Sequence, residues 1–414
     1  MAAQGPDVFF AEWRDRAAGE RRDITRAATL LDALGLPATG TPVLGVVGSK
    51  GKGTSAAYAS AALAAAGARV VTVTSPGLRG ARDRIRFGGR AIGGGDLNRI
   101  ATELAGAIQR LPPPEDGYLS PSGLFLAAGA LYGRERGADV LVLEAGMGGR
   151  GDELRLFDPA AVALTAVFGE HLGVLGDTVE EIAAEKAAVA GACARVFVHG
   201  PLEDGPREAA RAALAPRGTA HLAPEGLAPG ASGVPADLLP DGLGRSSAEL
   251  GCAAAARLLA ALGRAAPDAA RLREVLATVR LPGRLSHHAL PGGGGAVVDS
   301  AVDRVGVAAA LDHARRLWGA GGPNHVLVCL PDHKDVAGAV AALEGLEVTA
   351  ATLPDAHLGF SAALPDRWGR VRAEEVTPEL LAGLGRRVLV LGTVYFTGRV
   401  LAGIGADTES LFDP

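Results

Sequence analysis

An apolar run from Pro42 to Val47 leads straight into Gly48-Ser49-Lys50-Gly51-Lys52-Gly53-Thr54, and an alanine-rich helical pattern follows without a break. A strand, a glycine-rich turn and a helix in that order aim backbone N–H groups and a helix N-terminus at a phosphate. Lys52 is then placed to reach the β- and γ-phosphates of a nucleotide, and Thr54 to hold Mg²⁺ through its hydroxyl. The strict phosphate-loop spelling is not met, because Gly53 separates the lysine from the hydroxyl residue. Taken alone, the segment also reads as a flexible turn.

The surrounding pattern favours the phosphate loop. Near-continuous apolar runs at Arg69–Thr74, Asp139–Leu143 and Ala161–Val167 have the character of strands covered on both faces. Helical spacing lies between them: Ile24–Leu36, Asp96–Leu111 with Asp96 as N-cap, Ser122–Arg136 and Thr178–Ala190. Such alternation predicts a parallel α/β sheet. Residues 215–244 read as irregular connections, followed by helices over Ser247–Leu262 and Asp268–Val279. The segments Leu281–Arg284 and Gly292–Gly295 read as a linker region. Beyond it the alternation resumes, with strands at Ala296–Val298, His325–Leu330, Leu346–Thr352 and Arg387–Leu391. A chain of 414 residues exceeds one ordinary core. Two domains are expected, residues 1–283 with the phosphate loop and a smaller one over 284–414.

Composition narrows the function. The 41 basic residues are scattered and outnumbered by 46 acidic ones, which gives no support for nucleic acid or an anionic membrane as partner. Cys193, Cys252 and Cys329 lie far apart without metal-site spacing, as expected of isolated thiols in a reducing compartment. The N-terminus carries Asp7, Glu12 and Asp15 and lacks an apolar signal core, so a cytoplasmic protein is expected.

Several chemistry-bearing residues share strand ends, where parallel sheets gather ligands. Glu144 closes the strand before Ala-Gly-Met-Gly-Gly-Arg150 and suits Mg²⁺ bound through few protein oxygens; it also reads as a solvated strand-end carboxylate. His171, after Glu170, reads as a metal ligand, a phosphate contact or a polar loop residue. Lys186 lies near Glu181 and Glu185, and by spacing is a solvated helix partner. Arg284 and Asp299 flank the start of the second domain, where together they would clamp a nucleotide.

In order and spacing these landmarks resemble the folylpolyglutamate synthase/dihydrofolate synthase branch of the Mur-ligase superfamily. Gly48–Thr54 is similar to that family's GTNGKGS, and Thr74-Ser75-Pro76 with Arg84-Ile85 to its TSPHL…ERI. Leu143–Arg150 resembles LEVGLGGR. Glu170-His171, Leu175–Thr178 and Glu185-Lys186-Ala187 resemble DH…LLGDT…EKA. Leu281–Arg284 resembles HPGR, and Gly392–Tyr395 resembles GSLY.

The resemblance implies an α/β protein with a P-loop-containing parallel-sheet ATPase domain followed by a smaller Rossmann-like α/β domain. It implies an ATP-dependent, ADP-forming ligase that joins a carboxylic acid to an amine, usually that of glutamate, through an acyl phosphate. Gly48, Gly51, Lys52, Gly53 and Thr54 would then hold ATP, with Lys52 stabilising the transferring phosphoryl group and Thr54 on a first Mg²⁺. Glu144 and His171 would bind a second Mg²⁺, Lys186 matches a lysine that is often carbamylated, and Arg284 and Asp299 would hold ATP from the second domain. The chain also departs from the pattern. DGAHNP stands here as Asp299-Ser300-Ala301-Val302-Asp303-Arg304, an adenine-binding Asn is replaced near Leu250, the His of TSPHL is Gly77, and a family Glu is lost near Ser122-Gly123. The changes at Gly77 and Ser122-Gly123 imply an acid other than folate, those at Val302-Asp303 bear on amine handling, and that near Leu250 bears on nucleotide affinity or base choice. The alternatives are an ordinary folylpolyglutamate or dihydrofolate synthase and, from another class, a non-catalytic nucleotide-binding paralogue.

Overall fold

The computed structural model describes residues 5–17, 19–36, 40–114, 117–214, 225–319, 321–354 and 358–414. They divide into two units: residues 1–240, 244–279 and 409–414 in the first, and 241–243 with 280–408 in the second.

The first unit is built on an eight-stranded sheet. Its strands are β1 (Val43–Val47), β2 (Val70–Val73), β3 (Ile85–Phe87), β4 (Arg90–Ala91), β5 (Val140–Glu144), β6 (Ala161–Leu164), β7 (Val196–His199) and β8 (Glu225–Gly226). They lie in the order β4-β3-β2-β5-β1-β6-β7-β8. From β2 to β8 the pairings are parallel, and β3 and β4 add an antiparallel edge. Every residue of β1, β2, β5 and β6 is buried, as expected of strands with helices on both faces. Val46 pairs with Glu144 on one side and with Ala163 on the other, so the carboxyl ends of β5 and β6 flank the loop after β1.

Two kinds of helix cover this sheet. Pro121–Arg136 starts at Ser120, whose hydroxyl accepts the Gly123 N–H, and ends at left-handed Gly137. Helix Lys52–Ala65 buries all but its first two residues and packs on helix Gly244–Ala261. Alanine, serine and glycine let those two helices meet closely; a Cβ at Gly251 would lie 2.2 Å from the Ser55 carbonyl oxygen. Asp96 does not cap its helix as expected. The helix begins earlier, at Gly94 after Gly93, and Asp96 sits in its first turn, where a carboxylate still favours the helix dipole.

The second unit holds a six-stranded sheet of β9 (Ser286–Leu290), β10 (Gly294–Asp299), β11 (His325–Cys329), β12 (Val348–Thr352), β13 (Gly369–Arg372) and β14 (Arg387–Gly392). The order is β13-β12-β11-β14-β10-β9, parallel except for β9. The glycine run at 292–295 is therefore no linker. It turns the antiparallel β9–β10 hairpin, with Gly292 and Gly293 at φ 72° and 78°. Part of the stretch 215–244 lies outside the described residues, and its remainder contributes β8 at the sheet edge.

Candidate active site

The loop after β1 depends on glycine at two positions. Gly48 has φ 141°, and a Cβ there would lie 1.9 Å from Thr165 Oγ1. Gly51, at φ 87°, caps helix Lys52–Ala65, and its Cβ would lie 2.0 Å from Ser247 Oγ. The loop is tied down along its length. Ser49 N–H donates to the Ala166 carbonyl at 2.8 Å, Thr165 Oγ1 donates to Val47 O at 3.2 Å, and Lys52 Nζ donates to Gly48 O at 3.0 Å. The helix N-terminus carrying Gly53 and Thr54 is thus presented by a rigid, close-packed turn.

Glu144 is 4% exposed, so it is not the solvated strand-end carboxylate its position also permitted. Its Oε2 accepts the Ser75 N–H at 3.0 Å and lies 3.6 Å from where a Gly53 Cβ would stand. With glycine at 53, the carboxylate comes up against the helix start.

Lys186 likewise overturns the solvated reading. It is 1% exposed, and its Nζ donates to Glu170 Oε1 at 2.9 Å and to Gly48 O at 3.2 Å. Burial pulls the Lys186 amine below its ordinary value, and the Glu170 carboxylate works against that shift. At Glu170, burial pushes the carboxyl upward, but the Lys186 ammonium, helped by Lys52 and Ser49, holds the group below the usual carboxylate range. Gly149 presses on the same helix, where a Cβ would meet the carbonyl oxygens of Glu185 and Lys186 at 2.4 and 2.5 Å. The phosphate loop, the β5 loop and the Lys186 helix therefore form one packed cluster.

His171 is exposed in the loop after β6, at φ 49°. Its carbonyl accepts the N–H groups of Val174 and Leu175, which fixes the local turn. No cluster of three or more His, Cys, Asp or Glu side chains suited to a metal occurs among the described residues. A cation at this loop would draw on few protein ligands, as Mg²⁺ does when phosphates supply most of its oxygens. The Thr54 hydroxyl and Glu144 carboxylate are hard oxygen donors of that kind, and the glycine cradle fits a polyphosphate.

In the second unit Arg284 and Asp299 meet at one turn. Asp299 Oδ2 accepts the Leu285 N–H at 2.8 Å, and the Arg284 guanidinium, exposed, reaches the Gly283 carbonyl at 3.4 Å. Asp303 caps the helix Arg304–Trp318 by accepting the Gly306 N–H.

Three features escaped the sequence reading. Ser75 serves Glu144 through its backbone, which no side-chain motif reports. Glu170 was legible only as the neighbour of His171, yet it is the partner of Lys186. Arg22 lies 130 residues before Asp152 in sequence, but its Nη1 joins Asp152 Oδ2 at 2.9 Å and Glu153 Oε2 at 3.2 Å. Glu153 also fills the space that a side chain at Gly123 would need, its Cγ lying 2.5 Å from that Cβ position.

Comparison with known proteins was made on both sequence and structure. No family model matches the chain. A probable bifunctional folylpolyglutamate synthase/dihydropteroate synthase of Haloferax volcanii is 42% identical over 166 residues, 39% of this chain and 19% of that protein. The dihydrofolate synthase/folylpolyglutamate synthase of Bacillus subtilis is 30% identical over 172 residues, 41% of this chain and 40% of that protein. The matched part of the chain thus spans well under half of either relative. Solved structures match nearly throughout. Folylpolyglutamate synthase from Thermotoga maritima superposes with a TM-score of 0.78 at 20% identity, covering 96% of this chain and 97% of the other. This is the folylpolyglutamate synthase fold. The Mycobacterium tuberculosis enzyme complexed with ADP gives 0.77 at 23% identity, with 97% and 99% covered. A folylpolyglutamate synthase complex with AMPPCP and folate gives 0.76 at 21%, with 96% and 99% covered. The strong sequence relatives and the structural neighbours alike are folylpolyglutamate or dihydrofolate synthases, a branch of the Mur-ligase superfamily. None of the described helices is long and apolar enough to cross a membrane.

Proposed function

We propose that the chain is an ATP-dependent, ADP-forming carboxylate–amine ligase of the folylpolyglutamate synthase type. The observation that carries this reading is the cluster of Gly48, Lys52, Glu144, Glu170 and Lys186 around one loop that requires glycine at positions 48 and 51. In the proposed reaction a substrate carboxylate oxygen attacks the γ-phosphorus of ATP, the bond to the β-phosphate oxygen breaks, and ADP leaves. The amine nitrogen then attacks the acyl carbon, phosphate departs and the nitrogen gives up a proton. Phosphoryl transfer of this kind rests on positioning and charge neutralisation. The helix N–H groups orient the phosphates, and Lys52 brings a cation to the transferring group. Thr54 would hold a first Mg²⁺ and Glu144 with His171 a second, and when bound these ions would neutralise charge on the phosphate oxygens. Carbamylation of Lys186 belongs to the same proposal; a carbamate there would face the Glu170 carboxylate and would need a cation between them. Arg284 and Asp299 are proposed to contact the nucleotide from the second unit.

The names of the relatives favour a folate-type acid and glutamate as the first pair to test. The expectation of a different acid, drawn from the departures at Gly77 and Ser122-Gly123, finds no support among them. The same reading puts the protein in the cytoplasm, where ATP is made and used. The test supplies ATP, Mg²⁺ and glutamate with dihydropteroate or tetrahydrofolate, and reads product mass and ADP. One added glutamyl unit with matching ADP is expected, and Lys52→Ala should lower the rate at least a hundredfold while leaving the melting temperature within a few degrees. Turnover unchanged in Lys52→Ala would remove the phosphate-loop assignment.

A further inference from the structure

A second cleft lies in the second unit, at the opposite end of its strands from Asp299 and Thr393. It measures about 510 Å³ and is lined by His287, Trp318, Asn324, Arg386, Arg387 and the glycines of the β9–β10 turn. β10, β11 and β14 run parallel, and the cleft gathers their amino-terminal ends. A six-residue strand separates it from Asp299 by roughly 17 Å at about 3.3 Å per residue. It is therefore separate from the strand ends where the nucleotide contacts are proposed.

Its chemistry is one-sided. Two guanidinium groups line the cleft and no carboxylate does. Among the described residues no ion pair involves Arg386 or Arg387, so neither charge is neutralised by a neighbouring carboxylate. Arg387 is pre-set in position: its Nη1 donates to the Trp318 carbonyl at 3.2 Å and its Nε to Asn324 Oδ1 at 3.4 Å. Arg386 is exposed, and its guanidinium lies 3.6 Å from a Cβ position at Gly293. The aromatic wall is also fixed. The rings of His287 and Trp318 meet edge to face with centroids 6.4 Å apart. Gly295 makes this possible, because a Cβ there would fall 2.6 Å from His287 Nε2.

Two guanidiniums lining one cleft suit a phosphate dianion, and an indole beside them suits a flat ring. The cleft is open to solvent, and its volume leaves room for a small molecule laid against the wall. From this geometry we infer that the cleft binds a small aromatic phosphate monoester, its phosphate on Arg386 and Arg387 and its ring against Trp318. This site stands independently of the ligase reading.

Calorimetric titration of the full chain with 1-naphthyl phosphate tests it, beside inorganic phosphate and 1-naphthol as charge-only and ring-only probes. Saturable binding of one 1-naphthyl phosphate per chain is expected. Inorganic phosphate should bind at least tenfold more weakly, and 1-naphthol should give no saturable heat up to its solubility. Arg386→Ala, an exposed substitution that spares the fold, should weaken binding at least tenfold. Arg387→Lys, which keeps the charge but loses the fork, should weaken it severalfold. Lys52→Ala should leave the affinity within twofold, which separates this cleft from the phosphate loop. Absence of saturable binding at 5 mM, full affinity in Arg386→Ala, or loss of binding in Lys52→Ala would each overturn the assignment.

Discussion

Buried charge sets the behaviour of single residues in the first unit. Glu153 is 2% exposed, and its carboxyl is pushed up to about 7, first by burial and then by the neighbouring Asp152, with Arg22 opposing both. Its Oε2 accepts from Arg22, while Oε1 finds no hydrogen-bond partner. The folded state therefore holds a proton that the unfolded chain releases near its ordinary 4.5. Stability from this group is fully present below pH 4.5 and is lost as the pH rises through about 7. At 1.36 kcal/mol per unit the loss is on the order of 3 kcal/mol. We expect Glu153→Gln, an amide of the same shape, to flatten the fall in melting temperature across that window. A wild-type profile level from pH 4.5 to 7.5, or an unchanged slope in the variant, would contradict the protonated carboxyl. Glu153 also shows where residue-level reading stops. Its partners come from positions 22, 120 and 152, and no local pattern links them. Glycines, by contrast, announced the phosphate loop, because only they tolerate the backbone of Gly48 and Gly51.

At the level of elements, strands buried on both faces were legible as apolar runs, and β1, β2, β5, β6, β11 and β14 lie within a residue or a few of where those runs stand. The strands that escaped are antiparallel or at an edge. β3 carries Arg86, β9 reads Ser-His-His-Ala-Leu, and β13 reads Gly-Arg-Val-Arg. On β9 and β13 exposed residues dilute the signal, whereas Arg86 of β3 is buried and its Nη1 donates to the Glu409 carbonyl. The glycines after β9 were misread as a linker for a related reason, since a hairpin turn and a flexible joint share composition. Helix glycines need the opposite care, for their effect depends on what a Cβ would meet. Gly251 faces the backbone of the Lys52 helix at 2.2 Å, so Gly251→Ala should cost about 1–3 kcal/mol through overpacking, outweighing its gain in helix propensity. Gly106, in helix Gly94–Ile108, would meet nothing closer than the flexible Arg110 guanidinium at 3.7 Å. Gly106→Ala should stabilise by about 0.5–1 kcal/mol. Urea unfolding midpoints measure both, and shifts of the same sign would defeat the argument.

For the whole molecule, fold and sequence agree to different extents. The solved synthases cover 96–97% of this chain at 20–23% identity, whereas the matches to the Haloferax and Bacillus relatives reach 39% and 41% of it. A sheet needs apolar strands and closely packed glycines, which many sequences supply, so the architecture outlasts the identity of individual residues. The glycine-rich loop after β1 was legible because its backbone requires glycine at 48 and 51. The choice of acid was not legible, since shape and hydrogen bonding toward a particular acid follow no fixed spacing.

The central claim is that a carboxyl group is activated by transfer of phosphate from ATP. Supplying the acid with ¹⁸O in its carboxylate, together with ATP, Mg²⁺ and glutamate, tests it most directly. Each inorganic phosphate released should carry one ¹⁸O from the acid, in step with ADP and amide. Unlabelled phosphate, or amide formed with AMP and pyrophosphate in place of ADP, would contradict it.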